Sequence, residues 1–245
     1  MQIGKIIVVG IGPGAEEQMS PKAHRALEEA EVVVGYSAYI DLVAPLLAGK
    51  TVVSSGMKRE VDRCRQVLEH ALQGKNTALI SSGDAGIYGM AGIMLELVQQ
   101  AGTEVPVEII PGITASQAAA AVLGAPLMHD FVTISLSDLM TEWSVIEKRL
   151  HAAGAGDFVV CLYNPRSKGR PDHILKAQEI LLQYKRPETP VGIVRNAARE
   201  GETAVISRLD QFTGCEIDMF TTVIIGNQAT YVHGNRMITP RGYAL

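Results

Sequence analysis

The sequence predicts two α/β domains, the first with a mainly parallel sheet and the second with a mixed sheet. Three observations carry this. Short, continuous, β-branched runs alternate with segments of helical periodicity along the whole chain. Most of those runs end in glycine and small polar residues, the composition of the carboxyl edge of an open sheet, where ligands bind. Finally, the run at 190–194 is followed so closely by the one at 203–207 that the two read as a hairpin, which makes the second sheet mixed.

Lys5-Ile6-Ile7-Val8-Val9 reads as a central parallel strand buried on both faces. It opens into Gly10-Ile11-Gly12-Pro13-Gly14, which approaches a dinucleotide fingerprint. The third glycine falls one place early, and Pro13 lacks the N–H that a pyrophosphate would take. The segment is read as a rigid glycine loop over a ligand, or as a plain tight turn, and NAD binding is rejected. Ser20-Pro21 is a cap followed by proline at the first helical position, so a helix runs from 21 to 30. Two further strands follow at 31–35 and 51–53. The helix at 60–72 places Val61, Cys64, Val67, Leu68 and Ala71 on one face. Lys58, Arg59 and Arg63 stand at its amino end, where the helix dipole disfavours cations; this is the pattern of an anion site or of a solvated basic turn.

The chain is organised around the stretch from Ile80 to Gly92, between a strand at 77–80 and a helix at 93–98. Gly83, Gly86 and Gly89 let backbone come close to a ligand. Asp84 is an acceptor suited to a ribose hydroxyl or an ammonium group, or else a helix cap. A strand at 107–110 leads into Pro111-Gly112-Ile113-Thr114-Ala115-Ser116, where Thr114 or Ser116 caps an alanine-rich helix ending near 122. Gly124-Ala125-Pro126 breaks the pattern, giving domains at 1–125 and 126–245. The second half adds a strand at 131–134, the polar segment Ser135-Leu136-Ser137-Asp138, and a helix near 142–151. A strand at 157–163 then ends in Asn164-Pro165-Arg166-Ser167-Lys168-Gly169-Arg170. The helix at 171–184 carries a core stripe of Ile174, Ala177, Leu181 and Tyr184. The run at 190–194 ends in Arg195-Asn196-Ala197-Ala198-Arg199. The strand at 221–226 is the last of the core, and 237–243 is a short irregular tail.

Composition bounds the function. Of 245 residues, 47% are hydrophobic and 20% charged, which is ordinary for a chain with a real core. A formal net charge of -4 argues against a general nucleic-acid binder. Cys64, Cys161 and Cys215 form no CxxC pair, so buried thiols and a reducing cytoplasm are expected, without a disulfide framework or zinc site. No apolar run is long enough to span a membrane, and the segment Met1-Gln2-Ile3-Gly4-Lys5, leading straight into a strand, lacks a signal-peptide pattern. The six histidines are scattered, and His129 alone stands beside an acid. Loops of glycine and small polar residues suit a cofactor that brings its own reactivity, such as S-adenosylmethionine, whose methyl is moved largely by alignment. Lys58 and Arg59, then Arg166, Lys168 and Arg170, then Arg195 and Arg199, all follow strands. They form either a ring suited to a polycarboxylate or a set of unrelated surface charges.

The motifs resemble those of the tetrapyrrole (corrin/porphyrin) methylase family. The likeness rests on Val9-Gly10-Ile11-Gly12-Pro13-Gly14, Ser82-Gly83-Asp84-Ala85-Gly86-Ile87-Tyr88 and Pro111-Gly112-Ile113-Thr114-Ala115. Longer segments resemble the subgroup that methylates C17 of precorrin-3B or cobalt-factor III. They include Gly35-Tyr36-Ser37-Ala38-Tyr39-Ile40, Gly124-Ala125-Pro126-Leu127-Met128-His129-Asp130-Phe131, Ile134-Ser135-Leu136-Ser137-Asp138-Leu139 and Thr239-Pro240-Arg241-Gly242-Tyr243. The resemblance implies a cytoplasmic homodimer with a ligand cleft between its domains. It also implies S-adenosylmethionine as cofactor, with S-adenosylhomocysteine as product, and a tetrapyrrole polycarboxylate as substrate. Cofactor contacts carry over to Pro13, Gly83, Asp84, Ile87, Thr114, Ala115, Asn164 and Ala197. The implied reaction methylates C17 and contracts the ring with extrusion of C20, for which Asp84, His129, Ser137 and Asp138 are candidate acid–base or hydrogen-bonding groups. Lys58, Arg59, Arg166 and Arg195 are the candidate substrate cations. Neither a metal site nor the iron–sulfur segment of some relatives is expected, and neither a nucleic-acid nor a membrane partner. Other readings are a methylase of the same family acting on another corrin carbon, on uroporphyrinogen or on ribosomal RNA, and a non-catalytic nucleotide-binding module.

Overall fold

The computed structural model describes residues 3–244; Met1 and Gln2, expected to lead straight into the first strand, and Leu245 lie outside them. Contacts divide the chain into Met1–Ala115 and Ser116–Leu245, a boundary ahead of the expected one at 125. The alanine-rich helix goes with the second unit because Ala119, Ala120 and Leu123 pack with Val159, Cys161, Val194 and Ile224.

The first unit comprises β1 (Ile6–Gly10), α1 (Pro21–Glu29), β2 (Val32–Tyr36), α2 (Ser37–Leu42), β3 (Thr51–Ser55), α3 (Glu60–Leu72), β4 (Thr77–Ser81), α4 (Ala91–Gln100) and β5 (Val107–Ile110). Its sheet runs β3-β2-β4-β1-β5 with every pairing parallel. The strands are apolar at successive positions because both faces are covered. Ile6, Val8, Val34 and Leu79 pack with Cys64, Val67 and Met94 of α3 and α4, while Ile7, Val9, Val33 and Ile80 pack with Ala23 and Leu27 of α1 and Ile40 of α2. Ser20 caps α1 as expected, its hydroxyl accepting the Ala23 N–H at 3.1 Å. Val61 departs from the expected buried face of α3 and is 45% exposed. Arg63 takes a buried place there instead, because Ser55 Oγ and Gly56 O, at 3.0 and 2.9 Å, satisfy its Nη1.

Glu108 in β5 joins two cations: Lys22 of α1, 2.6 Å away, and Lys5 just before β1. The hydrogen bonds from Lys22 and then Lys5 hold its carboxyl down at about 2, against an ordinary 4.5. A depressed folded-state value means that this stabilisation is complete above about 4.5 and is lost as pH falls toward about 2. Glu108→Gln is therefore expected to lower stability by about 1 kcal/mol or less at neutral pH, since the group is partly solvated. The cost should shrink as pH falls through that window, which chemical denaturation at pH 7 and pH 3 would measure.

The second unit begins one residue into α5 (Ala115–Leu123) and continues through β6 (Gly124–Ala125), β7 (Phe131–Ser135), α6 (Trp143–Ala155), β8 (Val159–Tyr163), α7 (His173–Leu182), β9 (Pro190–Arg195), β10 (Thr203–Arg208), β11 (Thr221–Ile225), β12 (Tyr231–His233) and β13 (Arg236–Ile238). Its main sheet runs β10-β9-β11-β8-β7, with β7–β8 parallel and the other pairings antiparallel. The β9–β10 hairpin inferred from spacing is thus present. One face of the sheet buries Ile146, Leu150, Ile174 and Leu181 of α6 and α7. The tail is not irregular throughout: β13 pairs antiparallel with β12 and parallel with β6. Gly234, with φ at +58°, and Asn235 make the two-residue turn that such a hairpin needs. Tyr184 falls beyond the end of α7 and is 45% exposed. Its hydroxyl instead meets His151 Nδ1 at 3.0 Å.

Candidate functional site

The chain leaves β1 toward β2 on one side of the first sheet and leaves β4 toward β5 on the other, so a crevice opens between the carboxyl ends of β1 and β4. Two loops are stitched together there. Gly12 N–H donates to Gly83 O at 3.1 Å, Gly83 N–H donates to Gly12 O at 2.7 Å, and Ile11 N–H donates to Ser81 O at 2.9 Å. Gly83 sits at φ +69°, a left-handed conformation that a side chain would resist. The loop after β5 crosses so close that a Cβ at Gly112 would stand 2.2 Å from Gly83 O.

Asp84 fastens the three loops. Its Oδ1 accepts Gly86 and Ile87 N–H at 2.8 and 2.9 Å, and its Oδ2 accepts Gly112 N–H at 3.0 Å. Those bonds fill three of about four acceptor directions, leaving one for a ligand. Asp84 does not cap α4, which begins at Ala91; the Met90 N–H there donates to Ser81 Oγ at 3.1 Å. Pro13 is buried beside this junction, Ile87 is 45% exposed on it, Thr114 is 5% exposed, and Ala115 starts α5. Six of the eight residues expected to hold a cofactor therefore lie on one edge of the first unit.

Next to them is a cavity of about 180 Å³ lined by Tyr36, Tyr39, Met57, Arg63, Tyr88 and Met90, among others. Two of the neighbouring residues, Lys58 at φ +60° and Tyr88 at φ +54°, adopt left-handed backbone without being glycine. Each costs about 1 kcal/mol or more, a strain that concentrates at ligand sites. Lys58 is exposed and forms no ion pair with any described residue, whereas Arg59 Nη1 is held by Asp62 at 3.0 Å.

In the second unit, β7, β8 and β9 point the same way, so the residues after them share one edge. Asn164, at φ +51°, donates from Nδ2 to Ser135 Oγ at 2.9 Å, and Ser137 N–H donates to the same oxygen at 3.2 Å. Tyr163 OH accepts the Ser116 N–H of α5 at 2.8 Å. Ala197 lies between two left-handed residues, Asn196 and Ala198, and Glu202 Oε2 accepts the Ala198 N–H at 2.6 Å. Arg195 Nε donates to Asp218 Oδ2 at 2.7 Å. Burial pushes the Asp218 carboxyl up, but bonds from Arg195, Phe220 N–H and Thr221 outweigh it and hold the group below its ordinary value. Arg166 reaches Thr213 O at 3.5 Å, while its buried Nε meets no acceptor among the described residues.

His129 is not brought to this edge. It precedes β7, at the strand's amino end, and its Nδ1 accepts the Asp130 N–H at 2.8 Å. Five strand residues, at roughly 3.3 Å each, separate it from Ser137 and Asp138. Burial pushes the Cys64 and Cys161 thiols up to about 11 and about 12, so both are inert at neutral pH. Among the described residues, no group of His, Cys, Asp or Glu could hold a metal, and no helix is long and apolar enough to cross a membrane. Sequence reasoning missed Tyr163 and His173, and read Arg63, which is buried, as part of an anion site or of a solvated basic turn. Each depends on contacts that residue spacing does not encode.

Comparison with known proteins gives a consistent picture. The family model described as Tetrapyrrole (Corrin/Porphyrin) Methylases matches residues 5–213. A probable cobalt-factor III C(17)-methyltransferase of Salmonella typhimurium is 53% identical over 97% of this chain and 99% of its own length. A cobalt-factor III methyltransferase of Priestia megaterium is 47% identical over 98% of this chain, which spans only 45% of that longer protein. Among solved structures, the methyltransferase CobJ superposes with a TM-score of 0.91 at 37% identity, covering 97% of this chain and all of CobJ. A uroporphyrin-III C-methyl transferase from Thermus thermophilus, complexed with S-adenosylhomocysteine, superposes with a TM-score of 0.72 at 27% identity, covering 91% of this chain and 97% of that one.

Proposed function

Because the chain belongs to the tetrapyrrole (corrin/porphyrin) methylase family, we propose that it is a methyltransferase of cobalamin biosynthesis that methylates C17 of the macrocycle. The observation that carries this reading is the 53% identity to a C17-methyltransferase, sustained over 97% of this chain and 99% of that one. The macrocycle is cobalt-factor III in this reading, since relatives 53% and 47% identical bear that name. Methylation is accompanied by ring contraction and extrusion of C20, giving cobalt-precorrin-4. The enzyme works as a cytoplasmic homodimer.

S-adenosylmethionine, when bound, supplies a methyl group made electrophilic by its sulfonium. The first-unit edge fits it: main chain at Gly12, Gly83 and Gly112 converges without side chains in the way. Pro13, Gly83, Asp84, Ile87, Thr114 and Ala115 hold the cofactor there, and Asn164 and Ala197 are the further cofactor contacts of this reading. Asp84 acts mainly through the loops it fastens, with one acceptor direction left for the ligand. Lys58, Arg59, Arg166 and Arg195 meet the carboxylate arms. Lys58 is the readiest of them, being exposed and unpaired with any described residue. Arg59 and Arg195 exchange a partly solvated protein carboxylate for one of the substrate's.

Anaerobic incubation with S-adenosylmethionine and either cobalt-factor III or precorrin-3B tests the reading, with mass and absorbance of the macrocycle followed together. A gain of one methyl with a spectral change on cobalt-factor III is expected. Turnover of precorrin-3B alone would move the enzyme to the metal-free substrate. Methylation of neither, despite bound S-adenosylhomocysteine, would remove the C17 assignment.

A further inference from the structure

A half-buried polar cluster in the second unit joins Asp138, Trp143, Arg170 and His173 at the carboxyl ends of β7 and β8. The carbonyl of Leu136 accepts Arg170 Nη1 at 2.9 Å and His173 Nδ1 at 2.9 Å. A carbonyl only accepts, so Nδ1 carries a proton and Nε2 is turned toward Asp138. The same two side chains flank the Asp138 carboxylate, with Arg170 Nε 3.7 Å from Oδ1 and His173 Nε2 3.5 Å from Oδ2. The Trp143 ring lies against the imidazole with centroids 4.5 Å apart, and Lys176 Nζ sits 5.2 Å from the centre of that indole. Asp172, the residue before His173, makes no side-chain cap bond to α7.

Exposure is divided unevenly. The side chains of His173 and Arg170 are 12% and 14% exposed, but that of Asp138 is 37% exposed. A carboxylate is thus presented outward on two supports that are themselves pinned. Asp138 also differs from Asp84 in what fills its oxygens. Asp84 has three amide N–H bonds at 3.0 Å or less, whereas the partners of Asp138 stand beyond hydrogen-bonding distance. Its lone pairs are oriented but not consumed, which is the condition for taking up a proton.

We propose that Asp138 accepts the proton lost by the methylated macrocycle and that His173 is a positioning residue for it; this rests on the C17 reading. Methyl transfer leaves the C–S bonding pair on sulfur and brings one positive charge to the macrocycle with the new C–C bond. Loss of one proton to an Asp138 oxygen, its bonding pair staying on the macrocycle, restores neutrality and turns the carboxylate into a carboxylic acid.

The test compares Asp138→Asn and His173→Gln with wild type in kcat, KM and S-adenosylhomocysteine affinity by calorimetry. D138N is expected to lose about 10²-fold or more in kcat, the range of a general base, while keeping cofactor affinity. H173Q should lose about tenfold in kcat through loosened orientation. Its KM and cofactor affinity should stay at wild-type values, because His173 stands beside the carboxylate without filling its oxygens. A D138N enzyme with near wild-type kcat would overturn the proposal, and so would an H173Q enzyme whose KM rises while its kcat holds. If D138N fails to bind the cofactor, the split between kcat and KM in H173Q decides alone. Wild type that binds S-adenosylhomocysteine but methylates neither tetrapyrrole would overturn the C17 reading itself, and this proposal with it.

Discussion

Gly112→Ala is expected to be among the most damaging single-methyl changes available in this chain. Its Cβ would stand 2.2 Å from Gly83 O and 2.8 Å from both the carbonyl carbon and oxygen of Gly10. All three neighbours are backbone, so no rotamer change relieves the clash and a loop has to move. That movement also pulls the Gly112 N–H away from Asp84 Oδ2, to which it donates at 3.0 Å. A cost of about 2–3 kcal/mol or more follows for an overpacked site that cannot adjust. For a chain of this size that is roughly a 5–10 °C fall in Tm. The same loops form the proposed cofactor edge, so affinity for S-adenosylhomocysteine should drop by about tenfold or more, as displacement of a positioned group implies. Gly92→Ala is the internal control. No atom lies within 4 Å of a Cβ built there, and α4 continues through it. That change should be neutral, or stabilising by up to about 1 kcal/mol from helix propensity. Calorimetry and thermal denaturation of the pair would check both; a G112A protein as stable as G92A would mean that the three loops do not meet closely.

The contrast between those two glycines marks how far the sequence could be read. Each stands on the path from a strand into the next helix, and only the pairing of strands far apart in the chain separates them. Local physics was legible: the β-branched runs became strands, Ser20-Pro21 became the start of α1, and close spacing became the β9–β10 hairpin. The tail, expected to be irregular, instead holds the β12–β13 hairpin, whose strands are only three residues each, too short to announce themselves by alternation. What was not legible depends on partners chosen in three dimensions. Arg195 reads as a free cation in sequence, yet Asp218 holds it from 23 residues away. His173 and Asp138 are brought together by the parallel pairing of β7 with β8, which no local pattern specifies. Arg63 looked like one more cation of a basic turn and is instead a buried strut between α3 and the end of β3.

Asp84→Ala should produce the second large effect, and it distinguishes two roles that the sequence leaves equivalent. In the first, the acid serves the cofactor directly. In the second, it organises the loops that do so. Removing the carboxylate leaves three N–H donors, those of Gly86, Ile87 and Gly112, without their acceptor. At about 1–3 kcal/mol for each deprived donor, discounted because water reaches Gly86 and Ile87, the apo protein should lose roughly 2–4 kcal/mol. Asp84→Asn is gentler and more informative. Its remaining oxygen can still accept Gly86 and Ile87, but its amide would point N–H at the Gly112 N–H, donor against donor. The expected order is a large loss of apo stability in D84A, an intermediate one of about 1–2 kcal/mol in D84N, and parallel losses of S-adenosylhomocysteine affinity. A side chain that only touched the ligand would weaken binding in both variants and leave the apo melting temperature where it was. The apo protein is therefore the measurement that separates the roles: the three amide bonds exist before any cofactor arrives, so their loss must be felt in its absence.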